Sequence, residues 1–472
     1  MMNVERTNDE QRGVVYTDTL TKRYRGNPFI EALPPLPQRK IDFSVLISDS
    51  PPAPTNKDRK SGEIVRLIEL ATLNDVVYPF AGYADAALAA STMLREAYRA
   101  RNPINPLDVK RRHAQAVSTS ESGIYVPSEW ESSGQSHLIV ANSGIGKSTF
   151  VDRFLRGYPR VIQHTSYQGK PLQHAQLVYL KLRVPNDGSL KGLCYQFFHE
   201  IDRHLGTKYL KQARAAGTIS TMTLLMQQVV TATSLGLVVI DEFQNLRSAA
   251  GRQAEHVKNL IGELIEWTGV SVLIISTPAI DQVIEGNLGN ARKMTTTGQS
   301  FIGSMQRGSA TWAQFCETLW DYTYVQKKGI LSEAVLNAWY DASAGNTAFA
   351  KLAFILAQRK EIGGRECVDV SSFEFVANND LLFLRPAIRA LLSNKASALV
   401  DFNDLFISRK YKELRAMVGM VDEAVKTFKN TSEFEEMREQ KKEKKAKPMK
   451  NKKTAPEEDC ELPEEDPLLI EK

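Results

Sequence analysis

The chain has 472 residues and carries 60 Lys and Arg against 55 Asp and Glu, a formal net charge of +5. That length suits about three domains, and so modest a charge does not itself require a nucleic-acid partner. Cys194, Cys316, Cys367 and Cys460 are scattered with no C-x-x-C pair, which argues against a zinc ribbon or a disulfide framework and suits a reducing cytoplasm, and no run of about twenty apolar residues is present to span a bilayer.

Residues 1–60 read as an extended N-terminal arm. Pro34-Pro35-Leu36-Pro37 and the prolines at 51, 52 and 54 suit linker more than core. Between them, residues 42–47 are rich enough in apolar side chains to suggest a short strand. The arm's aromatic and apolar anchors suit either docking to a partner or packing on its own domain. Residues 61–125 show helical periodicity, through Ile64, Leu67, Ile68 and Leu70 and then residues 86–100, and read as a helical N-terminal module.

Residues 126–310 alternate between strand and helix. Strands are expected at 137–140, 177–182, 237–240 and 271–275, and helices at 147–156, 189–204, 219–234 and 252–267. This is a doubly wound α/β pattern with a parallel sheet. The first strand runs into Ala141-Asn142-Ser143-Gly144-Ile145-Gly146-Lys147-Ser148-Thr149 and then an apolar helix. Strand, glycine loop and helix together form the setting of a phosphate-binding loop. Gly144 and Gly146 let backbone N–H groups of residues 143–149 curl around phosphate oxygens. Lys147 would reach the terminal phosphates of ATP, and Ser148 would hold Mg2+. Ala141 stands where the motif G-x-x-x-x-G-K-[ST] has its first glycine.

The run Leu237-Val238-Val239-Ile240-Asp241-Glu242 reads as a buried strand ending in two acids. Side chains at that end face the crevice where ligands bind. Asp241 would steady the metal, and Glu242 would polarise a water against the γ-phosphate, marking an ATPase more than a kinase. The strand at 271–275 ends in Ser276-Thr277-Pro278, where Thr277, with Ser276 second, would sense the γ-phosphate.

Arg292 ends a basic helix. It would either reach a neighbouring subunit's ATP, a contribution worth about 10³–10⁵ in rate, or simply cap its own helix. Residues 183–218 are basic and polar. Lys191, Lys208, Lys211 and Arg214, with Thr218 in the adjoining loop, would form a phosphate track on duplex DNA if repeated around an oligomer. In a monomer they are a solvated face.

Residues 311–436 turn helical, as a lid and C-terminal helices. In the lid, Lys351 lies one turn into a helix after Gly345-Asn346-Thr347, where it would either report nucleotide state or face solvent. Residues 437–472 form a Lys-rich block and then an acidic one, without core-forming residues, and are expected to be disordered. The apolar residues 467–470 near its end suit either a short docking motif or a frayed terminus.

These residues resemble the TnsC family, the AAA+ ATPase regulators of Tn-seven-type DNA transposons, with TniB proteins more distantly similar. The resemblance runs from about residue 16 to 400. Its most specific parts are Tyr24-Arg25-Gly26-Asn27-Pro28-Phe29-Ile30-Glu31-Ala32-Leu33-Pro34-Pro35-Leu36, Gly188-Ser189-Leu190-Lys191, the segment around Asp241-Glu242-Phe243-Gln244-Asn245, and Ser276-Thr277-Pro278. The family has Gly where this chain has Ala141.

The resemblance implies an AAA+ core and helical lid, binding of ATP and Mg2+, and a homo-oligomeric ring or helical filament on duplex DNA. It implies partners on two sides: a target-selector protein of the TnsD or TniQ type, and transposase subunits of the TnsA and TnsB type. By position, residues 24–36 would meet the first and the 437–472 tail the second. ATP hydrolysis would control disassembly. A helicase loader of DNA replication shares the core and the cationic track and is the alternative.

Overall fold

Continuous runs of branched apolar residues build the centre of the molecule. The computed structural model describes residues 14–19, 21–118, 125–249, 252–284 and 288–393. The charged tail 437–472 and the C-terminal helices expected beyond residue 393 lie outside the described residues.

Among the described residues, seven strands follow in chain order: β1 (Ser136–Ala141), β2 (Val161–Tyr167), β3 (Lys170–Leu177), β4 (Tyr179–Arg183), β5 (Leu237–Asp241), β6 (Ser271–Ser276) and β7 (Gln299–Ile302). Five of them form a parallel sheet in the order β4-β5-β6-β1-β7, and β2 and β3 form a separate antiparallel hairpin. Every residue of β1, β5 and β6 is buried. Such strands need cover on both faces, which parallel crossovers supply.

The helices used below are α1 (Ala81–Arg99), α2 (Lys147–Arg156), α3 (Leu190–Leu205), α4 (Tyr209–Ala215), α5 (Ile219–Ala232), α6 (Gln253–Glu263), α7 (Leu288–Met294), α8 (Ala310–Trp320), α9 (Glu333–Asp341) and α10 (Thr347–Glu361). Leu193 and Phe197 of α3, Val229 of α5 and Ile261 of α6 pack with Val238, Ile240 and Ile274 on one face of the sheet. Ala87 and Met93 of α1 and Phe150 and Phe154 of α2 pack with Ile139, Val239 and Leu273 on the other. Ser276 pairs with Val140, and Ile274 with Ile240, so β1, β6 and β5 finish level with one another. This edge positions the site.

A third core is aromatic. Trp312, Phe315, Trp339, Phe354 and Phe373 are buried together, with the Trp339 ring 4.7 Å from that of Phe354 and 5.1 Å from that of Phe373. Burying each such side chain contributes about 1.5–3 kcal/mol. This core is the lid, built on α8 to α10. It also takes Leu70, Leu73 and Val76 from the N-terminal half of the chain. Arg66 fixes that attachment by donating to both Glu366 oxygens, at 2.6 and 2.8 Å, and to Tyr324 O at 3.2 Å. Residues 61–125 are therefore not one module: the helices at Glu63–Glu69 and Thr72–Asp75 belong to the lid and α1 to the sheet.

Two further expectations are corrected. Residues 42–47 form a helix, not a strand. Phe43 and Ile47, four apart, are buried on one face, while Val45 between them is 72% exposed; a half-buried strand would bury all three together. The arm at 24–36 is not extended either: it packs on its own domain, one of the two readings open for its anchors. Tyr24, Phe29, Ile30 and Leu33 are buried, Asn27 donates to Tyr98 O of α1, and Glu31 accepts from Tyr167 of the hairpin. Among the described residues, no helix is long and apolar enough to cross a membrane.

Candidate ATPase site

The loop between β1 and α2 has the geometry its glycines allow. Gly144 has φ +79° and Gly146 φ +94°, and Gly146 caps α2 from the left-handed region. Gly144 is needed twice over, because a Cβ there would lie 2.7 Å from Asn346 Oδ1 of the lid. Ala141 needs no such freedom. It is the last residue of β1, pairs in register with Ile302 of β7, and is fully buried, so its methyl group fills core space.

Lys147, at the first position of α2, is buried and folds back over the loop. Its Nζ donates to Ala141 O at 2.9 Å and Asn142 O at 3.0 Å. Next to it, Ser148 Oγ donates to Asp241 Oδ2 at 3.1 Å. Thus the loop and the tip of β5, ninety-odd residues apart, meet through the two residues expected to hold the metal. A hydroxyl and a carboxylate are hard oxygen donors, and Mg2+ is typically bound by few protein ligands together with phosphate oxygens and water. The donor set fits. ATP with Mg2+ would be held by the loop N–H groups, Lys147, Ser148 and Asp241, and the metal would supply charge neutralisation at the phosphates.

Asp241 also accepts from the backbone N–H of Glu242 through Oδ1, at 2.8 Å. Glu242 itself sits at φ 56°, ψ 39°, a left-handed conformation that costs a non-glycine residue about 1–3 kcal/mol. Its Oε2 accepts from Gln244 Nε2 at 2.6 Å. Gln244 Oε1 in turn accepts from Ser276 Oγ and from the Thr277 backbone N–H, both at 3.1 Å. The tips of β5 and β6 are therefore joined through one buried amide.

Two buried polar atoms here, Thr277 Oγ1 and Asn142 Oδ1, have no partner among the described residues. Such atoms call for an additional polar group, and a phosphate cradle supplies one.

The lid closes the other side. Asn346 Nδ2 donates to Ser143 O at 2.8 Å, and Ala348 N donates to Gly144 O at 2.9 Å. Asn346 also caps α10, its Oδ1 accepting from Ala348 N and Phe349 N. Ile145, Gly146 and Thr149 of the loop side share a cleft with Val76, Tyr78, Phe80 and Tyr83, and with Thr347 and Lys351 of the lid. Tyr83 stacks on Phe150 with ring centroids 4.6 Å apart, and its hydroxyl donates to Ile145 O at 3.2 Å.

Lys351 lines that cleft and is not a solvated face. Its ammonium donates to the carbonyls of Val76 and Asn74, and burial pushes its pKa down to about 8, opposed by nearby Asp75.

The other sequence candidates lie away from this cluster. Arg292 stands exposed on α7 and makes no ion pair among the described residues. Lys208, Lys211 and Arg214 are exposed along α4 and its N-terminal end, and Lys191 on α3 sits over the Tyr195 ring at 5.6 Å. Thr218 has a structural duty, accepting from Thr221 N as the cap of α5.

Gln244 and Asn346 are the functional candidates that sequence reasoning missed. The signal for Asn346 was its place as an N-cap before an apolar helix. Gln244 carried only its nearness to Glu242 and its place in the segment 241–245 that resembles TnsC proteins.

A glycine loop cradling a buried lysine, a serine paired with a strand-end aspartate, and a glutamate one residue on define a P-loop nucleotide hydrolase. Residues 131–284 match the family described as "AAA domain", so the chain carries an AAA-type P-loop ATPase domain. No curated protein matches the chain. Among solved structures, the chain is similar to a Walker-type ATPase of Pyrococcus abyssi, with 10% identity, 57% of this chain and 73% of that one covered, and a TM-score of 0.36. It is also similar to Cdc6p from Pyrobaculum aerophilum, with 13% identity, coverages of 61% and 74%, and a TM-score of 0.34.

Proposed function

We propose that this ATPase is a regulator of DNA transposition that assembles on duplex DNA in its ATP-bound form and links a target-selector protein to a transposase. The observation that carries the reading is the uncharged contact between lid and loop. Asn346 and Ala348 give that contact hydrogen bonds but no cation, and Lys351 is turned to the Val76 carbonyl. Lys147 and the Mg2+ ligands lie on the sheet side, so on the lid side the charge developing on the γ-phosphate has no cation from this chain among the described residues, and Arg292 of an adjoining subunit is exposed and available to supply one. An ATPase completed by its neighbour is one that works as an oligomer.

In this reading Lys147 binds the phosphates, Ser148 and Asp241 hold Mg2+, Glu242 orients the attacking water, and Thr277 reads the γ-phosphate. The exposed Lys208, Lys211 and Arg214 face the DNA backbone, and repetition around the oligomer makes a sequence-independent track. The resemblance of residues 24–36, 188–191 and 276–278 to TnsC proteins supports the transposition role. Because Tyr24, Phe29, Ile30 and Leu33 face inward, a selector meeting residues 24–36 would touch the exposed Arg25, Pro35 and Leu36 instead of those anchors.

Electron microscopy of the protein with a non-hydrolysable ATP analogue and duplex DNA tests this. Rings or filaments around duplex are expected, and monomers only would contradict it. Combined Lys208→Ala and Lys211→Ala should weaken binding to every duplex sequence and flatten its salt dependence, by about one unit of slope per lost phosphate contact. Assembly on single strands in preference to duplex would favour the helicase-loader alternative.

A further inference from the structure

Gln244 lies between the two parts of the site expected to do the chemistry. Its backbone belongs to the turn Phe243–Ser248, anchored by the buried side chains of Phe243 and Leu246. The residue is 3% exposed, so water has little access to compete for its hydrogen bonds. Its orientation follows from its partners. The Thr277 backbone N–H can only donate, so the amide oxygen must face it; a carboxylate can only accept, so the NH2 group must face Glu242. Reversing the amide would set oxygen against oxygen and N–H against N–H.

We propose that Gln244 is a positioning residue for ATP hydrolysis: it holds the Glu242 carboxylate by one oxygen and ties it to the tip of β6. The bond to Oε2 leaves Oε1 for a water. Because the same amide accepts from Ser276 and Thr277, a shift of that tip towards a phosphate is passed to Glu242 through one side chain. Thr277 Oγ1, buried beside this bond and without a partner among the described residues, is the group such a shift would satisfy. The proposal rests on the reading of Glu242 as the residue that orients the water.

Two variants test it. Gln244→Met keeps the length and removes both polar contacts. It should lower kcat roughly 10- to 100-fold, the scale on which misplacing a catalytic group acts, while the Kd for a fluorescent ATP analogue stays within about threefold. An unchanged kcat in folded protein would overturn the proposal, and so would a loss confined to ATP affinity.

Gln244→Glu keeps the shape and serves if the Met variant does not fold. Ionised, it sets a carboxylate against Glu242. Protonated, its O–H donates to Glu242 and its carbonyl accepts from Ser276 and Thr277, restoring the native pattern. Its kcat relative to the parent protein should therefore rise several-fold as pH falls from 8 to about 5.5. A ratio that does not change with pH would overturn the proposal.

Glu242→Gln, assayed alongside, separates the two ideas. Full hydrolysis in that variant removes the reading of Glu242 itself. Lost hydrolysis there, with normal turnover in Gln244→Met, removes only the role of Gln244.

Discussion

The two sides of the nucleotide cleft are held together by different means. On the sheet side, Ser148, Asp241, Glu242, Gln244, Ser276 and Thr277 form one chain of hydrogen bonds at the ends of three adjacent strands. The backbone beneath is locked in a parallel ladder, with buried side chains on both faces. On the lid side, contact with the loop runs through two hydrogen bonds to backbone carbonyls, from Asn346 and Ala348, with Lys351 bound to the connector at 74–76. A preorganised array keeps its geometry through the reaction. A few bonds to carbonyls part at small cost once the carbonyls turn towards another partner. The sheet side is thus the more densely bonded of the two, and the lid side is the one expected to release first.

The comparison is tested hardest at its shared element. Lys147→Ala removes the cation bonded to Ala141 O and Asn142 O of the loop that the lid also touches. It should abolish detectable ATP binding, a loss of more than about 100-fold, while leaving the far-ultraviolet circular dichroism unchanged; ATP binding within threefold of the parent would break the account.

Arg66→Met tests whether the helix at Glu63–Glu69 travels with the lid. It leaves Glu366 without its bidentate partner and should destabilise the lid by about 3 kcal/mol, read as an earlier transition of the lid tryptophans. The Arg66 hydrogen bonds hold the Glu366 carboxyl down to about 2. The native stabilisation is thus present in full above the unfolded-chain value of about 4.3 and fades as pH falls towards 2. The variant should show less of that acid-dependent loss, since only the backbone bonds from Gly363 and Gln326 to Glu366 remain.

Asn346→Ala removes the cap of α10 and the bond to Ser143 O, and should cost about 1–2 kcal/mol. If the lid side is the releasable one, kcat should change less than ATP affinity; the reverse would blur the distinction between the two sides.

Lys351→Met has the smallest expected effect. The folded pKa of Lys351 is near 8 and the unfolded-chain value about 10.4, so between these the unfolded chain binds more protons and native stability rises with pH. The Met variant should lose that rise, about 1 kcal/mol after solvent screening, measured as the difference in Tm between pH 7.5 and 9.5.

How far the sequence revealed the molecule follows the same division. The loop, β5 and β6 carry their signals locally: glycines at fixed spacing, and apolar runs long enough for a strand buried on both faces. The Asn346 contact joins residues 203 apart in sequence, and Arg66 reaches Glu366 across 300, so neither leaves a local pattern. The β2–β3 hairpin leaves only a weak local signal, because its turn is Gln168-Gly169, with φ +49° and +77°, where Asn-Gly would have announced it. Residues 42–47 misled through their branched apolar content, although Phe43 and Ile47 already had the four-residue spacing of a helix.

Under the proposed function, hydrolysis at Glu242 would end the stay of an ATP-bound oligomer on duplex DNA. The lifetime of Glu242→Gln on fluorescent duplex DNA, after chase with unlabelled duplex in ATP and Mg2+, tests it most directly. The account predicts release of the parent protein as ATP is consumed, and retention of the variant at least tenfold longer, with roughly 100-fold slower turnover. Release of both at the same rate, with hydrolysis blocked in the variant, would contradict it.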